Sequence, residues 1–163
     1  MAHEKAQENN GIKEKYMIQK LERQLKNLLE SRFLWILARV LLAIIFVGGG
    51  MAKLIDFDGG VAEMTKAGLE PAALYNGVVA VTLLTGSALL FAGRWVWLGA
   101  GMLGVFLFLT IIIVHRFWAL PEPQAQLAMF WALEHLAVIG GLMAAAIAGH
   151  FHALMDHAWR KDK

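Results

Sequence analysis

Cysteine is absent from this 163-residue chain, which excludes a disulfide scaffold, a thiolate-held iron–sulfur cluster and thiol exchange by its own side chains. Charge is the second scarcity. Only 17% of residues are charged and 58% are hydrophobic, against about 25% and about 45 to 50% in soluble domains. A soluble enzyme with a polar surface is excluded on that ground, as is a collagen-like repeat. A net charge of +2, with Lys and Arg interleaved with Glu, excludes a nucleic-acid binder. Chemistry motifs are missing as well: the chain has no nucleophile elbow, Walker loop, dinucleotide fingerprint or metalloprotease helix.

What is present is a polar start and a long apolar remainder. Twelve of the 28 charged residues fall in positions 1–32. Four later stretches, 33–51, 72–92, 95–114 and 127–149, each carry the roughly 20 mostly apolar residues that a bilayer core about 30 Å thick requires. The second and third contain no charged residue and are separated only by Gly93 and Arg94, so they form a tight helical hairpin. The expected fold is all-α: a membrane-embedded antiparallel four-helix bundle (33–149) between a cytoplasmic amphipathic segment (1–32) and a cytoplasmic tail (150–163). The first apolar run opens only after 32 residues and is longer than an h-region, which reads against a cleavable signal peptide.

Orientation follows from the cations. Seven Lys and Arg precede the first span, Arg94 occupies the hairpin turn, and three lie in the tail, whereas the other two loops together hold three. The positive-inside rule places both termini in the cytoplasm. Trp35, Trp95, Trp97, Trp118 and Trp159 fall near span ends, where indoles favour the interface. In the N-terminal segment the spacing of Ile18, Leu21, Leu25 and Leu28 predicts a helix from about residue 13, lying on the inner leaflet or docking a partner. In the first loop, Asp58 is the expected N-cap of a short helix over 61–67 that stops at Gly68.

Polar groups inside the spans are the candidate sites. Arg39, Glu134 and His135 each cost about 2.5 to 3.5 kcal/mol to insert if charged, so each is expected to face the bundle interior. Their span positions leave Arg39 and Glu134 about 10 Å apart in depth, which an arginine stem can bridge. Such a pair would lock the bundle, or the same groups would bind a ligand or handle protons. His115 and His135 carry imidazoles able to ligate metal or haem, but a separation of about 12 Å along the membrane normal speaks against joint haem ligation. His150, His152, Asp156 and His157 cluster near the end of the chain without matching a closed zinc spacing. Gly48, Gly49, Gly50, Gly99, Gly101, Gly104, Gly140 and Gly141 read as small residues that let helices approach.

The run RVLLAIIFVGGGMAKLIDFDGGVAEMTKAGLEP, residues 39–71, resembles the first-span and loop signature of DoxX-type membrane proteins at Arg39, Phe46, Gly50, Lys53, Asp56, Phe57, Gly59, Met64, Gly68 and Pro71. His115, Phe117 and Trp118 closing the third span, and Phe130, Trp131 and LAVIGGLM in the fourth, extend the likeness across residues 39–149. Two departures from the family pattern stand out: Leu83 stands where members often have a glutamate, and Glu134 with His135 stands where they often have Lys-Asn.

The resemblance implies a four-helix protein of the bacterial plasma membrane, related to proteins associated with quinone-linked oxidoreductases and membrane redox complexes. Taken with the in-span polar groups, it makes Arg39, Lys53, Asp56, His115, Trp118, Glu134 and His135 the positions to inspect for a quinone or other ligand. The partners it implies are the lipid bilayer and either other protein subunits or further copies of the chain. Two other functions stay open at this point, an oligomeric transporter and a metal-handling protein using His150, His152 and His157.

Overall fold

The structure, a computed structural model, describes residues 2–161, with side chains for residue 11 and residues 13–155. Its helices are α1 (Ala2–Leu29), α2 (Arg32–Ile55), α3 (Phe57–Lys66), α4 (Ala72–Ala92), α5 (Val96–Ile113) and α6 (Gln124–Lys161), with a 3-10 turn at Phe117–Ala119. Among the described residues there is no strand, so the chain is all-α. Four helices are long and apolar enough to cross a membrane: α2, α4, α5 extended to Ala119, and α6 to Met155. Met1–Leu37 forms one compact unit and Ala38–Lys163 another.

The first unit contains α1 and the opening turns of α2. α1 begins at Ala2 rather than near residue 13, because residues 2–10 are largely good helix formers that carry no apolar stripe for a periodicity reading to detect. It ends at Leu29. Ser31 then caps α2, its Oγ accepting from the Leu34 amide at 3.2 Å, which satisfies one of the donors a helix start leaves unpaired.

In the second unit the residue pairs that meet show antiparallel order. Arg39 reaches Leu90, Ala43 meets Ser87, and Lys53 meets Asn76 along α2 and α4. Gly86 lies against Leu103, and Gly99 against Leu89, along α4 and α5. Gly149 lies against Val96 and His135 against His115 along α5 and α6. Gly141 abuts Leu42, returning α6 to α2. The core between them is lined by Ala43, Phe46, Ala80, Leu83, Leu90, Leu103, Leu107 and Leu142, each at most 6% exposed. The outward faces of the same helices are apolar too, as a lipid-facing surface requires.

Only some of the glycines take part in this packing. A Cβ on Gly50, Gly86, Gly99 or Gly149 would press within 3.0 Å of a neighbouring helix, and one on Gly141 would stand 3.1 Å from Leu42. Gly48, Gly101, Gly104 and Gly140 face open space instead, which corrects the reading of them as packing residues. The helical phase explains the split: Gly101 is two residues from Gly99 and so points to a different side of α5.

α3 starts earlier than expected and is capped by Asp56, not Asp58. The Asp56 Oδ1 accepts from the Gly59 amide at 3.0 Å, and Asp58 falls in the first turn. Lys53 reaches back to Glu63 of α3 with Nζ 2.7 Å from Oε2, the lysine mostly buried and the glutamate 70% exposed. Asp56→Ala is expected to cost about 1 kcal/mol by removing the cap, and Glu63→Gln less, because a solvated ion pair is worth roughly 0 to 1 kcal/mol. Hydrogen exchange of the α3 amides measures both, and a larger loss for Glu63→Gln would overturn the ranking.

Candidate functional site

The in-span polar residues fall into three places. At the hairpin end, Arg39 is 7% exposed and its Nη1 donates to Leu90 O at 3.0 Å. That carbonyl belongs to the last turn of α4, where it otherwise accepts only the Gly93 amide at 3.3 Å and the dipole favours a cation. Gly93 ends the helix in the left-handed region with φ 69°, which glycine adopts without strain. A side chain there would also run into the Arg39 guanidinium. Arg39 therefore works as a cap supplied across the interface by α2.

At the opposite end, α3 is tied to the bundle by Asn76, which is fully buried. Its Nδ2 donates to Lys53 O at 3.2 Å and more weakly to Phe57 O at 3.5 Å. Its Oδ1 accepts no hydrogen bond among the described residues and lies against Gly60, where a Cβ would collide with the amide. Ser87, also buried, donates to Leu83 O at 2.7 Å and stands 3.4 Å from Ala43 O. A search for charged residues alone passes over both; the available signal was an amide and a hydroxyl inside an otherwise apolar span. Lys53 and Asp56 belong to this α3 junction, where one pairs with Glu63 and the other caps.

The third place gathers ring side chains. The His115 and His135 ring centroids are 5.0 Å apart at an interplanar angle of 79°, and His115 stacks on Trp131 at 6.3 Å and 20°. The expected separation of about 12 Å in depth is thereby corrected. α5 ends at Ile113, and the His115 amide donates to Thr110 O at 3.1 Å as the chain leaves the helix. The 3-10 turn then packs back on α6. His115 thus lies alongside α6 instead of prolonging the α5 axis, and it meets Trp131 and His135, which are four residues apart and share a helix face. Edge-to-face contact leaves no room for a porphyrin between the two imidazoles, so depth is no longer the argument against haem.

Glu134 differs from expectation more sharply. It is exposed on the single chain, ten residues into α6 and so about 15 Å along its axis. No hydrogen bond or ion pair engages its carboxylate among the described residues. Arg39 and Glu134 do not pair, and a single pocket spanning Arg39, Glu134 and His115 is not formed. Arg39 sits at the hairpin end and His115 beyond the far end of α5, an 18-residue helix about 27 Å long. Trp118 lies outside the histidine cluster, edge-to-face with Phe117 at 5.1 Å and 58% exposed.

α6 continues unbroken to Lys161, since nothing in its last turns is Gly or Pro. His150 lies against Phe151 at 6.1 Å, and His152 is engaged in a contact. The side chains of Asp156 and His157 lie outside the described residues. Among the described residues no group of three or more His, Asp or Glu gathers to hold a metal ion.

Comparison with known proteins bears on these positions. Residues 34–116, just over half of the chain, match the DoxX family. The Inner membrane protein YphA of Escherichia coli (strain K12) is 26% identical over 119 residues, covering 71% of this chain and 83% of that protein. No solved structure matches.

Proposed function

The chain belongs to the DoxX family of integral membrane proteins, and from that premise we propose that it is a small accessory subunit of a redox complex in the bacterial inner membrane. In this reading both termini are cytoplasmic, and the His115–Trp131–His135 cluster binds the headgroup of a quinone. The relative's description as an inner membrane protein and the concentration of cations at the chain's start and in the hairpin turn support the location and orientation.

One observation carries the quinone reading: two imidazoles 5.0 Å apart with an indole against one of them, inside the spanning segments. A neutral imidazole offers an N–H donor to a carbonyl oxygen, and Trp131 offers a flat face to a planar ring. Trp131 and Glu134 are both exposed on the lipid-facing side of α6, so a ligand dissolved in the bilayer can reach the cluster laterally. The quinone supplies two-electron chemistry at carbonyl oxygens that gain negative charge and protons on reduction. Donors placed at that oxygen favour the reduced form. The chain has no cysteine and no dinucleotide fingerprint, so the electrons come from a carrier on a partner subunit.

The test is titration of the purified protein in nanodiscs with short-chain ubiquinone and menaquinone analogues, read by tryptophan fluorescence. His115→Phe and His135→Phe are each expected to weaken binding about tenfold, the worth of one hydrogen bond near 1.4 kcal/mol, with His150→Phe unchanged. Absence of saturable quenching in the unaltered protein would overturn the proposal, and so would equal effects from all three variants.

A further inference from the structure

The exposed face of α1 has no role in the reading above. Ile18, Leu21, Leu25 and Leu28 are each more than half exposed, as are Met17 and Leu29 beside them. At about 100° per residue these six side chains cover roughly a third of the helix circumference. Lys13 and Lys20 border the stripe on one side, and Lys15 and Lys26 on the other.

We infer that α1 binds a lipid surface, with this stripe in the boundary between headgroups and acyl chains and the flanking lysines among anionic headgroups. Three observations favour lipid over a second copy of the chain. The narrow seam of a coiled coil needs three to four heptads, and here it covers two, because Gly11 and Glu14 hold the preceding seam positions. The stripe is also wider than a two-position seam, as Met17 and Leu29 broaden it, which suits a flat surface. Finally, α1 ends only two residues before α2, the first membrane-spanning helix. The apolar turns of α1 are those nearest that junction in sequence.

The cysteine-free sequence permits a direct test in the full-length chain. Leu25→Cys and Asn27→Cys, which point to nearly opposite sides of α1, are each labelled with an environment-sensitive fluorophore and reconstituted into nanodiscs carrying nitroxide-labelled lipid. Position 25 should be quenched about threefold more strongly than position 27, given an apolar face buried about 5 to 10 Å into the interface. The contrast should grow when phosphatidylglycerol replaces part of the phosphatidylcholine. Equal, weak quenching at both positions would overturn the inference. So would protection of position 25 that appears only when two copies share a disc, since that identifies a second chain as the occupant.

Discussion

Replacing Gly99 with valine is expected to remove about 3 kcal/mol of bundle stability, at the upper end of what overpacking costs. A Cβ at this position would stand 2.7 Å from the Gly86 carbonyl oxygen and 2.9 Å from Leu89 Cβ. The first obstacle is backbone, so no rotamer change relieves it. Separation of α4 and α5 would be the only relief, and that separation would strip dispersion contacts from Leu90 and Leu103, both fully buried. Gly101→Ala and Gly104→Ala serve as internal controls, since both positions face open space. They should be neutral or stabilising by up to about 1 kcal/mol, because alanine loses less backbone entropy in a helix. Unfolding in detergent followed by far-UV circular dichroism measures all three. Comparable losses at positions 99, 101 and 104 would mean that α4 and α5 do not meet as described.

The second large effect concerns Arg39 and Glu134. Arg39→Leu is expected to cost about 2 kcal/mol, because the buried charge-assisted hydrogen bond to the Leu90 carbonyl is lost and only the longer 3.3 Å bond from the Gly93 amide remains. Glu134→Leu is expected to favour the membrane-inserted state, since an in-span carboxylate costs about 2.5 to 3.5 kcal/mol on insertion scales and this one lies on the outer surface of α6. The double variant should equal the sum of the two within about 0.5 kcal/mol, as for sites that share no partner. A coupling larger than 1 kcal/mol would show that the two side chains interact in the bilayer. Quinone titration of the same variants separates structure from ligand binding: Arg39→Leu should leave the affinity of folded protein unchanged, because the guanidinium sits at the other end of the bundle from His115.

Much of the architecture was legible because bilayer length is a strong constraint. The expected second span, 72–92, coincides with α4, and the third differs from α5 by a single residue at each end. The flanking helices were less legible. α6 starts three residues earlier than expected and runs past the bilayer length, and α1 extends eleven residues further toward the start of the chain. Hydropathy registers where a helix leaves the apolar phase, not where its hydrogen-bonded backbone ends. The candidate site was legible only as an inventory: His115, Trp131 and His135 could each be named, but their contact depends on a non-helical turn at residues 114–116 that reverses the expected path of His115.

Sequence alone determined that this is an all-α membrane protein of four spans with few ionisable groups inside them, because the cost of an unpaired backbone polar group in hydrocarbon admits few alternatives. Tertiary structure alone decided which polar residues work together. Arg39 caps α4 instead of meeting Glu134, Asn76 anchors α3, and the two histidines share one face of the bundle. Depth along a span follows from counting residues, whereas partners follow from helix rotation and loop geometry, and neither is fixed by a count.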